Sequence, residues 1–355
     1  MPLMPGMSMA HYPPAVAIDL FYRALLVVGV GVLALFGVLR LAARGARPAE
    51  APARRNPFRE RLLYALGALW LLDGFLQAQP GMVTRFIGGL LAPLVQGQPG
   101  AVAAVVHLGT QLWGLSPIWF NVGATYIQVL IGIMLLFGRR ERTRRIGLWV
   151  SIAWGLVVWL VGEGFGGLFV GSGALVGSPG SVLLYALGAV MLLQGEAWWD
   201  TGAWRRLIGI GFALYFALMA FLQIWPPDGW WTAGGLGGWA LGMAQMPQPA
   251  FITAILSAWA ATLQAQPVVW NAVISLSCVG LAALWLVRPG RRSVLYLTVL
   301  WTLLVWFLGQ DFGVLGGMGT DPNTGAILLA FEFMTWPARR TDVRAWAPEL
   351  SAERG

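Results

Sequence analysis

Apolar runs of bilayer length, broken by arginine-rich or glycine-rich stretches, set the pattern of this chain. The runs fall at about 20–41, 62–79, 118–137, 146–162, 181–193, 207–225, 268–287, 294–309 and 325–336. A helix that crosses the hydrocarbon core needs ~20 apolar residues, and fewer where short helices sit inside a bundle. The pattern therefore predicts nine transmembrane helices. Two further stretches, 80–116 and 226–266, are apolar but hold runs too short to span. Backbone at membrane depth must be buried in protein or line a cavity if it does not span. These stretches predict interfacial or re-entrant helices capping the bundle.

The polar residues between the runs give an orientation. Segments 40–61, 138–145, 196–206, 288–293 and the tail after 337 hold 21 of the 23 basic residues, leaving only Arg23 and Arg85 elsewhere. Loops rich in basic residues stay on the cytoplasmic side, so the alternation predicts an outside N-terminus and an inside C-terminus. A secretory signal places its basic residues before the apolar run. Here they follow it, and 20–41 reads as an uncleaved anchor. The expected fold class is an all-α polytopic membrane protein. Residues 1–57 form an outer N-terminal tail, the anchor helix and a cytoplasmic linker. Residues 58–195 form a first four-helix repeat, 204–336 a second, and 337–355 a cytoplasmic tail.

The two four-helix units echo one another. Phe75 and Gln77 recur as Phe221 and Gln223, and Gly88 and Gly89 as Gly237 and Gly238. Gln96 recurs as Gln245, and Pro117 and Asn121 as Pro267 and Asn271. Trp154, Trp159 and Phe165 recur as Trp301, Trp306 and Phe312, and all offsets lie between 146 and 150 residues. Four spans per unit is an even number, so the copies sit the same way up. That is a parallel repeat about an axis along the membrane normal, not an inverted one.

Composition sharpens the class. The chain is 58% hydrophobic and 11% charged, with a mean hydropathy of +0.69, whereas soluble domains are about a quarter charged. The net charge is +8 and every basic residue is Arg. Those arginines lie between apolar runs, which is the signature of a lipid bilayer as partner and not of a nucleic acid. The expected setting is a prokaryotic plasma membrane, crossed several times. Cys278 is the only cysteine, so the chain has no internal disulfide and no CxxC site. Two histidines, His11 and His107, do not furnish a haem-holding bundle. No GxGxxG, Walker or HExxH pattern occurs.

Ionisable groups at membrane depth are functional candidates because burying them is costly. Asp73 and Gln77 share a helix face one turn apart. Asn121 and Gln128, with Thr125 between them, share a face of another helix, and Glu163 ends a third on the same outer side. Asp73, Gln77, Asn121, Gln128 and Glu163 are expected to converge on one polar pocket in the outer leaflet. The second-unit counterparts are Gln223, Asn271, Cys278, Gln310 and Asp311, with Met219 where Asp73 stands in the first. Any chemistry should then be asymmetric and draw on the first unit. Asn, Gln and Thr also serve as interhelical hydrogen-bonding groups worth under ~1 kcal/mol each. Glu332, near the inner end of the last run, is expected to pair with Arg339 and Arg340. Met4, Met7, Met9 and His11 would suit Cu(I) by their softness, but they show no fixed ligand spacing and no metal site is assigned. Trp154 and Trp159 either fill space or flank a flat ligand.

Each unit resembles the four-helix DoxX/DoxD-like membrane proteins. The likeness lies in the first helix, which ends Trp70-Leu-Leu-Asp-Gly-Phe-Leu-Gln77, and in a second helix with a polar face running from Gln128 to a basic turn at Arg139 and Arg140. The family's acidic residue in that second helix falls near Gln128 here. The resemblance implies quinone-dependent membrane redox chemistry, thiosulfate oxidation among it. Three functions follow as expectations: a quinone-linked redox subunit or accessory working with a redox partner subunit, a small-solute or metal transporter, and a structural or assembly protein.

Overall fold

A computed structural model describes residues 12–42 and 55–336. The linker 43–54, the tail 337–355 and the Met4, Met7, Met9 and His11 set lie outside the described residues, as do Arg339 and Arg340. All regular structure among the described residues is helical. In order these helices are α1 (Pro14–Ala42), α2 (Pro57–Gln77), α3 (Gly81–Thr84), α4 (Gly100–Leu115), α5 (Pro117–Phe137), α6 (Glu141–Val157), α7 (Ser181–Leu192) and α8 (Glu196–Asp200). There follow α9 (Ala203–Ile224), α10 (Gly238–Ala244), α11 (Ala250–Ala265), α12 (Pro267–Val287), α13 (Arg292–Leu308) and α14 (Asn323–Thr335). A π-helical turn, Val158–Gly162, prolongs α6.

Each of the nine apolar runs carries a helix. Five are long and apolar enough to cross a membrane: Pro14–Val38 of α1, α5, α6 with its π turn, α9 and α12. The remaining four are shorter or more polar. α2 carries Arg59, Glu60, Arg61 and Asp73, while α7 and α14, with 12 and 13 residues, reach only about 18–20 Å. In the two long apolar stretches the chain forms α4 and α11, each of 16 residues.

Packing follows side-chain size. α2 lies against α5 and α9 against α12. A Cβ on Gly74 of α2 would come within 3.0 Å of Val129 N, and one on Gly132 of α5 within 2.8 Å of Gly67 O. Without a hydrophobic force between helices in lipid, small residues that let backbones approach are what hold such a pair. α14 leans on α2 and α7, so the last described helix closes the core around Trp70, Tyr185, Ile327 and Phe331. α1 stands at the edge, where Phe21 and Ala24 meet Ile118 and Val122 and Tyr126 Oη donates to Leu25 O at 2.6 Å.

The two ends of the bundle differ. At the arginine-rich end Arg59 is buried, with Nη2 2.7 Å from Glu141 and Nη1 3.0 Å from Glu196. Arg144 pairs with Glu60 at 2.7 Å, and Arg61 donates to Trp336 O at 2.7 Å. At the opposite end two glycine-rich loops, 163–180 and 309–322, lead into α7 and α14. Each opens with consecutive left-handed residues: four in the first, Gly164, Phe165, Gly166 and Gly167 with φ of 54°, 62°, 64° and 67°, and three in the second, Asp311, Phe312 and Gly313 with φ of 48°, 59° and 72°. This conformation is disfavoured for a Phe. Each Phe is held by a Trp six residues back: Trp159 packs on Phe165 at 5.2 Å and Trp306 on Phe312 at 5.0 Å between ring centroids. The same indoles donate to Pro179 O and Pro322 O, both at 2.7 Å.

The loops also cross between the halves. Ala174 N donates to Gln223 Oε1 at 2.9 Å, and Gln79 Nε2 donates to Gly319 O at 3.2 Å. Irregular backbone among apolar helices is tolerated when it is buried in protein or lines a cavity, and each loop finds part of its cover on the other half.

Candidate functional site

Between α2, α4, α5 and the end of α6 lies a cavity of about 200 Å³. Its walls are apolar and aromatic, with Phe86, Trp113, Phe120 and Trp154 among them. Its polar groups are Asp73, Gln77, Gln128 and Glu163, joined by Thr320 and Asp321 from the far loop. Four of the five pocket residues expected from the sequence therefore line one space. Asn121 does not line it. It stands behind Gln77, accepting from Gln77 Nε2 at 2.6 Å and donating to Met82 O and Pro117 O at 2.9 and 2.7 Å. Its amide ties α2 and α3 to the first turn of α5, which is a joining role.

Asp73 is 1% exposed, and neither carboxylate oxygen has a hydrogen-bond partner. Tyr185 of α7 faces it without meeting hydrogen-bond geometry. Gln128 Oε1 and Trp154 Nε1 are likewise buried and unpartnered. Trp113 Nε1 and Glu163 Oε2 are unpartnered too. Buried polar atoms normally find partners, and orphans on five residues around one cavity mark it as a place for a polar ligand atom.

Glu163 is placed by α7. Its Oε1 accepts from Ser181 N at 3.1 Å and from Ser181 Oγ at 2.8 Å, so it caps the helix start. A Cβ on Gly180 would fall on Glu163 Oε2, which fixes glycine there. Asp321 comes from the loop before α14, where its Oδ1 accepts from Asn323 N at 2.7 Å, the geometry of a local Asx turn. That same oxygen lies 2.7 Å from Ser181 Oγ. Two acidic oxygens thus sit on one hydroxyl. A hydroxyl has one hydrogen to give and must accept in its other contact, so the trio is satisfied only if one acid keeps its proton. Burial raises the Glu163 carboxyl to about 8, with the Asp321 charge adding and the α7 hydrogen bonds opposing. Burial raises Asp321 as well, opposed by hydrogen bonds from Ser181, Asn323 and Thr320.

In the second half Gln223 Nε2 donates to Asn271 Oδ1 at 2.9 Å, the counterpart of Gln77 and Asn121. Gln310 takes the place of Glu163: it caps α14 through Oε1 and Gly325 N at 3.3 Å, and its Nε2 donates to Thr324 Oγ1 at 3.0 Å. Cys278 is buried, and Asp311 is buried with Oδ1 unpartnered. None of these five lines the cavity. Glu332 accepts from Thr302 Oγ1 at 2.7 Å, its partner among the described residues. Among those residues no three His, Cys, Asp or Glu side chains gather as a metal-holding group.

Sequence reasoning missed Asp321, Ser181 and Tyr185. Asp321 carried only a turn signal, Asp-Pro-Asn before an apolar run. Its meeting with Ser181 is a tertiary contact between the two halves.

Fold and cavity together define an all-helical integral membrane protein with several apolar helices and a buried acidic pocket. No family model matches the chain, and no curated protein or solved structure does. The likeness to DoxX/DoxD-like proteins rests on the residue pattern alone.

Proposed function

We propose that this protein is a quinone-linked membrane redox component that seats a quinone or quinol head group in the acidic cavity. One observation carries this: an aromatic-walled space on which both Asp73 oxygens, Gln128 Oε1 and Glu163 Oε2 are buried and lack partners. Small-molecule sites combine apolar walls with a few such groups. The bound ring would supply two-electron, two-proton chemistry, and a partner subunit would carry the electrons onward. The chain's own residues bind and handle protons: Gln77 and Gln128 orient the oxygens, Asp73 meets the ring hydroxyl or carbonyl, and Glu163, Ser181 and Asp321 hold one transferable proton. No Arg lines the cavity, so an anion such as thiosulfate is a poor fit for it.

The same absence of positive charge favours a second reading, a proton-coupled carrier of a small cationic solute. One titration separates the two. Trp113 and Trp154 line the cavity, so a short-chain benzoquinone should quench protein fluorescence saturably. Asp73→Asn should weaken that binding about tenfold, the worth of a hydrogen bond to a carboxyl group. Saturable binding of a hydrophobic amine with none of the quinone would remove the redox reading and leave the carrier.

The topology belongs to the same proposal: nine spans, N-terminus outside and C-terminus inside a cell membrane, with two parallel DoxX-like four-helix repeats over 58–195 and 204–336. The paired left-handed corners and the paired Gln–Asn bonds support a duplication.

A further inference from the structure

A second space lies at the arginine-rich end, in a cleft of about 650 Å³ between the start of α9 and the end of α12. We propose that it binds the head group of an anionic phospholipid, independently of what fills the acidic cavity. Arg205 and Arg206 line it, and no acidic side chain does. Among the described residues neither guanidinium meets a carboxylate, whereas Arg59 and Arg144 at the same end are both ion-paired. Arg205 is stacked, 4.6 Å over Trp204 and 5.3 Å over Phe58. This contact fixes the group and leaves its N–H edge free to bind a phosphate. Both arginines lie in the first turn of α9, the end of a helix whose dipole favours an anion.

The walls say which anion source fits. Trp285 is buried at the cleft floor, while Leu286 lines the cleft and is 67% exposed on the outer surface of α12. The cleft therefore opens onto the lipid-facing side, so a phosphate there can remain joined to acyl chains lying along the helices. Basic pockets between helices at the cytoplasmic surface are suited to acidic lipid head groups. A free phosphate would need only the arginines, not this apolar exit.

The test uses the full chain, purified in mild detergent and measured by native mass spectrometry with phosphatidylglycerol or phosphatidylcholine added. Wild type should retain about one phosphatidylglycerol per chain in preference to phosphatidylcholine. Each of Arg205→Gln and Arg206→Gln should weaken retention about fivefold, the effect of one arginine near an acidic membrane surface. Leu286→Glu leaves the arginines in place and adds a repelling charge at the exit; it should also lose the lipid, and an unfolding midpoint within a few degrees of wild type for each variant shows that none merely misfolds. Displacement by millimolar inorganic phosphate, with no preference between the two lipids, would replace the lipid with a free anion and overturn the proposal. Equal retention by wild type, both arginine variants and Leu286→Glu would overturn it as well.

Discussion

Glu163 and Asp321, from opposite halves of the sequence, meet on the one hydroxyl of Ser181, at 2.8 and 2.7 Å. This contact joins the capped start of α7 to the loop that leads into α14, and it needs a retained proton. The halves are thus linked at the cavity by an acid–hydroxyl–acid bridge, which makes their union sensitive to pH.

The sign of that sensitivity follows from Glu163. Its carboxyl moves from an ordinary 4.5 up to about 8 in the folded protein. Between those values the native state holds more protons than the unfolded chain, so stability falls as pH rises through the window. The unfolding midpoint of wild type should drop between about pH 4.5 and about pH 8, and Glu163→Gln should flatten that slope. An unchanged slope in Glu163→Gln would assign the titration to another group.

Asp73 should trade stability for binding. Its carboxyl is buried without a hydrogen-bond partner, a state that costs about 1–3 kcal/mol. Asp73→Leu, whose larger side chain has the cavity to extend into, should raise the unfolding midpoint while abolishing quinone-dependent quenching. A drop in stability would mean that the carboxyl is structurally satisfied.

Removal of Arg59 should be severe. The side chain joins Glu141 and Glu196 and also donates to Leu192 O at 3.1 Å. Arg59→Met leaves Leu192 O unmatched and removes charge-assisted bonds to two acids that are 49% and 33% exposed, a loss of about 1.5–3 kcal/mol. Thermal unfolding in detergent measures this; Arg23→Met, at an exposed pair with Asp19, should change little.

The two Gln–Asn bonds should separate structure from binding. Gln77→Leu removes one amide bond between helices and should cost about 1 kcal/mol, whereas Gln223→Leu also removes the acceptor of Ala174 N and should cost about 2 kcal/mol. Only Gln77 lines the cavity, so only Gln77→Leu should also weaken quinone binding. Equal binding by the two variants would take Gln77 out of the site.

What the sequence determined by itself was the set of helices and the residues worth watching. Apolar length and arginine placement act locally, so they mark α1, α2, α5, α6, α7, α9, α12, α13 and α14 without reference to neighbours. The cost of a buried acid likewise singles out Asp73 and Glu163, and helical spacing puts Gln77 and Gln128 beside them. Tertiary structure alone decided which of these groups meet. It moved Asn121 behind the cavity, where helix-to-helix hydrogen bonding uses its amide fully. It brought in Asp321 and Ser181, whose contact spans the two halves and has no local signal. It also left Gln310 as a neutral cap where Glu163 is an acidic one. A cap needs only an acceptor near the first N–H groups of a helix, and either residue type provides that. The site is acidic because a loop of one half closes over a helix start in the other, a choice made by packing and invisible to periodicity.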